Sequence, residues 1–224
     1  MSKEKSCLVT TGLLDTVNWF STAPDVVIKS DKGGDGKQTW KEKAKQDLID
    51  MLSRTERPFP EAAKRGVEFE KMVYKHANDT DEELLKYSDK FRAVCGEVKG
   101  FQFYKKNGIN VEVDGQKVYL YGKFDAINLP IIKDIKTTES YQYQKYLSGV
   151  QHLLYCIISR ATEFHYVVCE WKAYPEIKNI YKESFFVKDF DALEKELFEK
   201  ISQSFNIFKE NDMWNLYRDS FCLY

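Results

Sequence analysis

Gly122-Lys-Phe-Asp-Ala-Ile-Asn-Leu-Pro-Ile-Ile-Lys-Asp-Ile-Lys-Thr-Thr138 is the stretch whose reading decides the fold. Its first part closes an alternating apolar run, Leu129-Pro130 turns the chain, and Ile131 to Lys136 follows as another strand. Asp134 and Lys136 are two apart on that strand, so their side chains leave the same face. Asp125 stands near the end of the preceding strand and can meet them after the turn. Two carboxylates and an ammonium drawn together are costly to hold unless a cation or a substrate compensates.

Working outward, strand character begins near Glu97, and Phe101, Phe103, Val111 and Val113 alternate with polar residues. Asp114-Gly115 is a strong hairpin turn before Val118 to Ala126 returns. Upstream of these strands, Arg54 to Pro60 is a break, Glu61 to Ala77 reads as a helix, and Asp81 to Ala93 as a second, short one. Downstream, Tyr141 to Ile158 carries Leu147, Val150, Leu154 and Ile157 on one helical face. Phe164 to Trp171 and Ile180 to Val187 are apolar strands. Leu193, Leu197, Ile201, Phe205 and Phe208 mark a long amphipathic helix, with Trp214, Tyr217 and Phe221 at helical spacing behind it. Helix, three strands, helix, strand predicts an α/β (α+β) fold, a central mixed sheet flanked by helices. We expect a single domain over 1–224, with its motif-bearing core at about 61–171. An N-terminal extension (1–60) and a C-terminal strand and helices (172–224) complete it.

The acid-x-Lys pattern alone is weak evidence, because it recurs at Asp35/Lys37, Glu97/Lys99 and Glu176/Lys178. The first and last sit in polar loops, where solvated charge needs no further account. Glu97/Lys99 begins a strand and is a real competitor. Only Asp134/Lys136 combines an apolar strand, an upstream acid and a following helix with its own polar pair. That pair is Gln151 and Tyr155, four apart on one helical face. It reads either as a boundary Gln with an amphipathic core Tyr or as two hydrogen-bonding groups over one cleft. A further acid comes from Arg65-Gly-Val-Glu-Phe-Glu70. Glu68 lies between Lys64 and Lys71 at helical spacing and reads as a solvated partner. Glu70 shares a face with Gly66, Val73 and Ala77 and is favoured, since a carboxylate on an apolar stripe wants a partner. Gly66 lets another chain or a substrate come close. Oxygen ligands of this kind suit a hard cation such as Mg²⁺.

Composition narrows the classes. The chain has 224 residues, 43% hydrophobic and 31% charged, with a net charge of −1, so it is neither disordered nor a bulk polycation coating nucleic acid. A local basic groove remains open, with Arg54, Arg57, Lys64, Arg65 and the Gly/Lys-rich residues 29–45 as candidate phosphate contacts. The bland reading of 29–45 is a solvated loop running into a helix. No apolar run approaches the roughly 18 residues of a membrane span. Met1 to Leu8 lacks the apolar core of a signal peptide, which sets the expectation of a cytoplasmic protein. The five cysteines, scattered and without a CxxC pair, are expected to be reduced thiols, neither a disulfide frame nor a zinc site. The C-terminal aromatics read as packed on the domain, with an oligomer seam as the alternative.

Gly66-x-x-x-Glu70, Gly-x-x-Asp125, Asp134-Ile-Lys136-Thr-Thr and Gln151-x-x-x-Tyr155 together resemble the ordered motifs of the PD-(D/E)XK nucleases. The resemblance is to the RecB-like and lambda-exonuclease-like branch found in phage and bacterial recombination enzymes. It covers roughly residues 61–171 and implies a restriction-endonuclease-like core. Carried over position by position, it implies that Asp125, Asp134, the Ile135 carbonyl and Glu70 bind the metal, Mg²⁺ with Mn²⁺ as a substitute. It implies that Lys136 positions the attacking water, and that Gln151, Tyr155, Thr137, Arg65 and Gly66 support the site or contact DNA. The implied activity is metal-assisted phosphodiester hydrolysis by an exonuclease in DNA recombination or repair, in a bacterial or phage-infected cytoplasm. Implied partners are DNA and a single-strand annealing or other recombination protein, with no membrane. Some members have a histidine where Glu70 stands. Several carry a four-cysteine iron–sulfur cluster with three cysteines near the carboxyl end; only Cys222 is terminal here, so no such cluster is expected. The rival readings are a nuclease-fold protein that binds DNA without cutting it and an assembly protein.

Overall fold

The computed structural model describes residues 6–28 and 38–222. Within them the chain runs β1 (Cys7–Val9), α1 (Thr11–Thr22), α2 (Trp40–Leu52), α3 (Glu61–His76), α4 (Asp81–Leu84), α5 (Asp89–Val98), β2 (Gln102–Val113), β3 (Gln116–Asn128), β4 (Ile131–Thr138), α6 (Gln151–Ser159), β5 (Glu163–Ala173), β6 (Glu176–Phe186), α7 (Phe190–Glu210) and α8 (Trp214–Phe221). The strands form a mixed sheet in the order β1-β3-β4-β5-β6, with β2 also paired to β3. This is the sheet-and-helix class that the element order predicts. Lys29 to Lys37 of the Gly/Lys-rich stretch lie outside the described residues, whereas Lys41, Lys43 and Lys45 belong to α2.

The chain divides into two compact units. The first comprises Met1–Arg57, Gly108–Tyr121 and Glu194–Tyr224. Its β1 runs parallel to β3, Cys7 facing Val118 and Val9 facing Leu120. Asp114 and Gly115 both take positive φ, 50° and 72°, the geometry that a two-residue hairpin turn requires. Phe205, Phe208, Tyr217 and Phe221 are buried, so these C-terminal aromatics are packed on the fold. The Tyr217 hydroxyl donates to the Leu8 carbonyl at 3.2 Å, joining α8 to β1. The same meeting of chain ends corrects the expectation for the cysteines. Cys7 and Cys222 form a disulfide, and only Cys95, Cys156 and Cys169 are free. A separation of 215 residues hides that pairing from any local pattern.

The second unit comprises Pro58–Asn107 and Gly122–Leu193. β3 and β4 pair antiparallel across the Leu129-Pro130 turn, β4 and β5 run parallel, and β5 and β6 pair antiparallel. A parallel pair needs a crossover, which α6 provides. One core lies where α3 and α5 meet the sheet, with Phe69, Val73, Phe91, Val94 and Val98 against Ala126, Ile135, Val167 and Cys169.

Three boundaries differ from the sequence expectation. The helix expected over 81–93 is two, because the Ser88 hydroxyl accepts from the Phe91 amide and caps a fresh start. Glu97 lies in the last turn of that second helix and does not begin a strand. The helix expected over 141–158 starts only at Gln151; Gln144 takes φ 60°, and the preceding residues form turns.

Candidate active site

The β3–β4 ladder pairs Asn128 with Ile131, Ile127 with Ile132 and Ala126 with Lys133. Continuing that register by one step sets Asp125 opposite Asp134. Asp134 is fully buried, and Asp125 half-buried. Burial first, then a hydrogen bond and the charges of Asp134 and Glu70, push the Asp125 carboxyl up to about 10. Lys136 Nζ lies 2.7 Å from Asp134 Oδ2. Burial alone would lower the ammonium, but the charges of Asp134 and Asp125 outweigh it and raise it.

α3 brings the third carboxylate. A Cβ on Gly66 would stand 3.0 Å from Thr137 Oγ1, so the missing side chain is what lets α3 approach β4. One turn further along, Glu70 is half-buried and its carboxyl is raised by burial and then by Asp134; nearby Tyr104, Lys136 and Lys123 hold it down. Glu68 is exposed and accepts only from the Tyr174 hydroxyl at 3.4 Å among the described contacts.

α6 supplies the polar pair. Gln151 Nε2 donates to Asp134 Oδ1 at 2.6 Å, and the Tyr155 hydroxyl donates to the Lys123 carbonyl at 2.9 Å. A Cβ on Gly122 would meet Tyr155 Cε1 at 2.9 Å, so the glycine makes room for the ring on β3. Gln151 thus reaches a carboxylate of the cluster, whereas Tyr155 is a buried side chain bonded to the backbone of β3.

Three buried side-chain oxygens among the described residues make no well-directed hydrogen bond: the Tyr74 hydroxyl, the Tyr104 hydroxyl and Asp134 Oδ2. Lys136 stands beside Oδ2 as its ion-pair partner at 2.7 Å. All three belong to this one place, since Asp125, Glu70 and Asp134 raise the Tyr74 phenol after burial does, and Glu70 raises Tyr104. A buried oxygen left unpaired is unfavourable by about 1–3 kcal/mol, which applies most directly to the Tyr74 hydroxyl, since Asp134 Oδ2 has Lys136 beside it and Tyr104 hydrogen-bonds Glu70. Tyr104 also takes φ 56°, rare for a residue with a side chain. Neither tyrosine was singled out by the motif. Tyr74 is four after Glu70 and so shares its face, a readable signal; Tyr104 carries none.

The donor chemistry fits a hard cation: three carboxylates, two of them raised by mutual repulsion and burial, and one buried oxygen still to be satisfied. Ile135, whose carbonyl the motif resemblance adds to this set, follows Asp134 on β4. Among the described residues no group of three or more His, Cys, Asp or Glu side chains is preassembled as a metal cage. Arg65 is exposed and lies near Glu61 and the Tyr174 ring. Two other basic candidates are already engaged in the first unit. Arg57 pairs with Asp47 at 2.6 Å and Asp50 at 2.5 Å, and Arg54 Nε donates to the Ser220 carbonyl at 3.0 Å. A cavity of about 410 Å³ in that unit, lined by Asp15, Asp47, Trp19, Met51 and Arg57 among others, holds none of Glu70, Asp125 and Asp134.

No protein-family model matches the chain, and no curated protein matches it in sequence. Solved structures do. LHK-Exo in complex with dAMP matches at a TM-score of 0.50 and 14% identity, over 94% of this chain and 92% of that one. A second structure of LHK-Exo, an alkaline exonuclease from Laribacter hongkongensis, matches at 0.49 and 12% over the same shares. A phage-related exonuclease from Haemophilus somnus 129PT matches at 0.43 and 10%, over 92% of each chain. At these identities the likeness is one of fold, and the fold it shows is that of LHK-Exo, in keeping with the lambda-exonuclease-like branch that the motifs resemble.

Proposed function

We propose that this chain is a metal-dependent deoxyribonuclease, an exonuclease that hydrolyses phosphodiester bonds in DNA recombination or repair. The observation that carries the reading is the gathering of the Glu70, Asp125 and Asp134 carboxylates around the Lys136 ammonium. The ordered motifs support it, and the dAMP held by LHK-Exo supports a deoxynucleotide substrate class. Glu70, Asp125, Asp134 and the Ile135 carbonyl would hold Mg²⁺, or Mn²⁺ in its place. Bound there, the cation would supply a Lewis acid for the phosphate and charge for the leaving oxygen. In this scheme the Lys136 ammonium orients a water and offsets phosphate charge. Gln151 fixes the rotamer of Asp134, and Tyr155 anchors α6 to β3. Thr137, Gly66 and Arg65 form the approach to DNA.

The test is digestion of linear and circular DNA with Mg²⁺ or EDTA by wild type, Asp134→Ala and Lys136→Ala. Digestion that needs Mg²⁺, prefers linear ends and vanishes in both variants is expected. No digestion of any DNA form, or binding without cutting, overturns the enzyme reading. Equal digestion by the variants overturns the site.

A further inference from the structure

Two buried carboxylates lie outside the cluster described above. Glu170 on β5 and Glu183 on β6 are 6% and 3% exposed. They stand on the same sheet face as the site, because register rows run Asp134–Tyr166–Glu183 and Thr138–Glu170–Asn179. At about 4.8 Å per strand, Glu183 lies two strands, roughly 10 Å, from Asp134. Burying a carboxylate is unfavourable unless its oxygens are well used, and here they grip one segment.

The Tyr141 amide donates to Glu170 Oε1 at 3.4 Å, and the Tyr141 hydroxyl to Glu183 Oε1 at 3.1 Å. The Leu147 amide donates to Glu183 Oε2 at 3.3 Å. Glu170 Oε2 accepts from Asn179 Nδ2 at 3.0 Å and from the Tyr181 hydroxyl at 3.2 Å, and Lys178 Nζ lies 3.5 Å from Oε1. The Tyr181 ring stacks on Tyr141 with centroids 3.9 Å apart. Tyr141 is thus held at its amide, its hydroxyl and its ring.

The gripped segment leads into α6, whose cap residue Val150 offers no side-chain hydrogen bond. Without a local cap, the helix takes its starting point from the anchored turns before it. A slip of one residue there would turn the first side chain by about 100°. That first side chain is Gln151, which reaches Asp134.

We propose that Glu170 and Glu183 are positioning residues for the nuclease site: by gripping Tyr141 and Leu147 they fix where α6 begins and so seat Gln151 on Asp134. This rests on the nuclease reading above. The test uses the full chain carrying Glu183→Leu, Glu183→Gln, Tyr141→Phe, Gln151→Ala, and Glu183→Leu with Gln151→Ala. The readouts are amide hydrogen exchange and steady-state kinetics on linear DNA with Mg²⁺. Glu183→Leu is expected to lower kcat about tenfold with KM within about twofold, and to speed exchange over residues 141–155. In the Gln151→Ala background the same change should alter kcat by less than about twofold, because the two act through one contact. Glu183→Gln, which keeps one acceptor oxygen, should recover part of the loss. Fully additive losses, or unchanged exchange at 151–155, overturn the proposal. Should Glu183→Leu fail to fold, Tyr141→Phe removes one hydroxyl and carries the same test, with a loss of about threefold expected. Should wild type cut no DNA, the nuclease reading fails, and exchange alone decides whether these carboxylates hold the start of α6.

Discussion

Asp134 divides its two oxygens between neighbours of different kinds. Oδ1 takes the Gln151 amide, and Oδ2 faces Lys136 with hydrogen-bonding capacity to spare. A cation that satisfies Oδ2 and calms the repulsion among Asp125, Asp134 and Glu70 should bind the folded state alone. Mg²⁺ at a hundred times its Kd is then expected to add about 2.7 kcal/mol to wild-type stability. Asp134→Ala should gain none of it. Thermal or chemical unfolding with Mg²⁺ and with EDTA checks this, and equal gains in both proteins would place the cation elsewhere. Lys136→Ala should lower kcat by about 10²–10⁴, with folding intact, if the ammonium orients the attacking group. Residues of this kind are legible because a strand's period of two puts Asp134 and Lys136 on one face whatever surrounds them. Tyr104 was not legible, since its place at the carboxylates comes from a left-handed backbone turn inside β2.

At the scale of elements, the site depends on how closely α3 and α6 approach the strands, and two glycines set those approaches. Gly66→Ala trades a helix-propensity gain of about 1 kcal/mol against a tight contact with Thr137. Its net effect on stability should be small while activity falls, as paired melting and digestion assays would show. Gly122→Ala drives a methyl into the Tyr155 ring and should destabilise by about 1–3 kcal/mol. α5 is tied to the sheet differently. Glu97 accepts from Lys133 at 2.7 Å and from Lys182 at 3.2 Å. Burial would raise its carboxyl, but those two ammonium groups outweigh burial and hold it below the usual range. A lowered folded-state pKa contributes stability above the unfolded value, lost as pH falls through the folded one. Glu97→Gln should therefore reduce stability at pH 7 by about 1 kcal/mol, with the difference closing below about pH 4 in urea melts. The Glu97/Lys99 pattern differs from Asp134/Lys136 in that Glu97 is helical and Lys99 caps the helix, so the two do not share a strand face. The sequence pattern misjudged α6 because 141–150 has helical apolar spacing, whereas two buried carboxylates on the sheet hold that segment in turns.

At the scale of the molecule, the second unit was largely readable from its alternating strands and turn residues, and in the first unit the Asp114-Gly115 turn and the C-terminal helices were readable but β1 was not. β1 has three residues, too few for a period to show, and its pairing partner lies more than a hundred positions away. The disulfide follows from that non-local pairing and is equally silent in sequence. The remaining thiols are buried, with Cys95 pushed up by burial to about 11 and Cys156 and Cys169 to about 12. Native protein should accordingly react with no thiol reagent, unfolded protein should show three thiols, and unfolded, reduced protein five. Five in the absence of reductant would break the bond assigned here. The bond also makes residues 7 to 222 a closed covalent ring threaded through both units. One proteolytic nick within the ring opens it without parting it. A nicked molecule should stay one covalent species under oxidising conditions and fall into two fragments only when the ring is reduced.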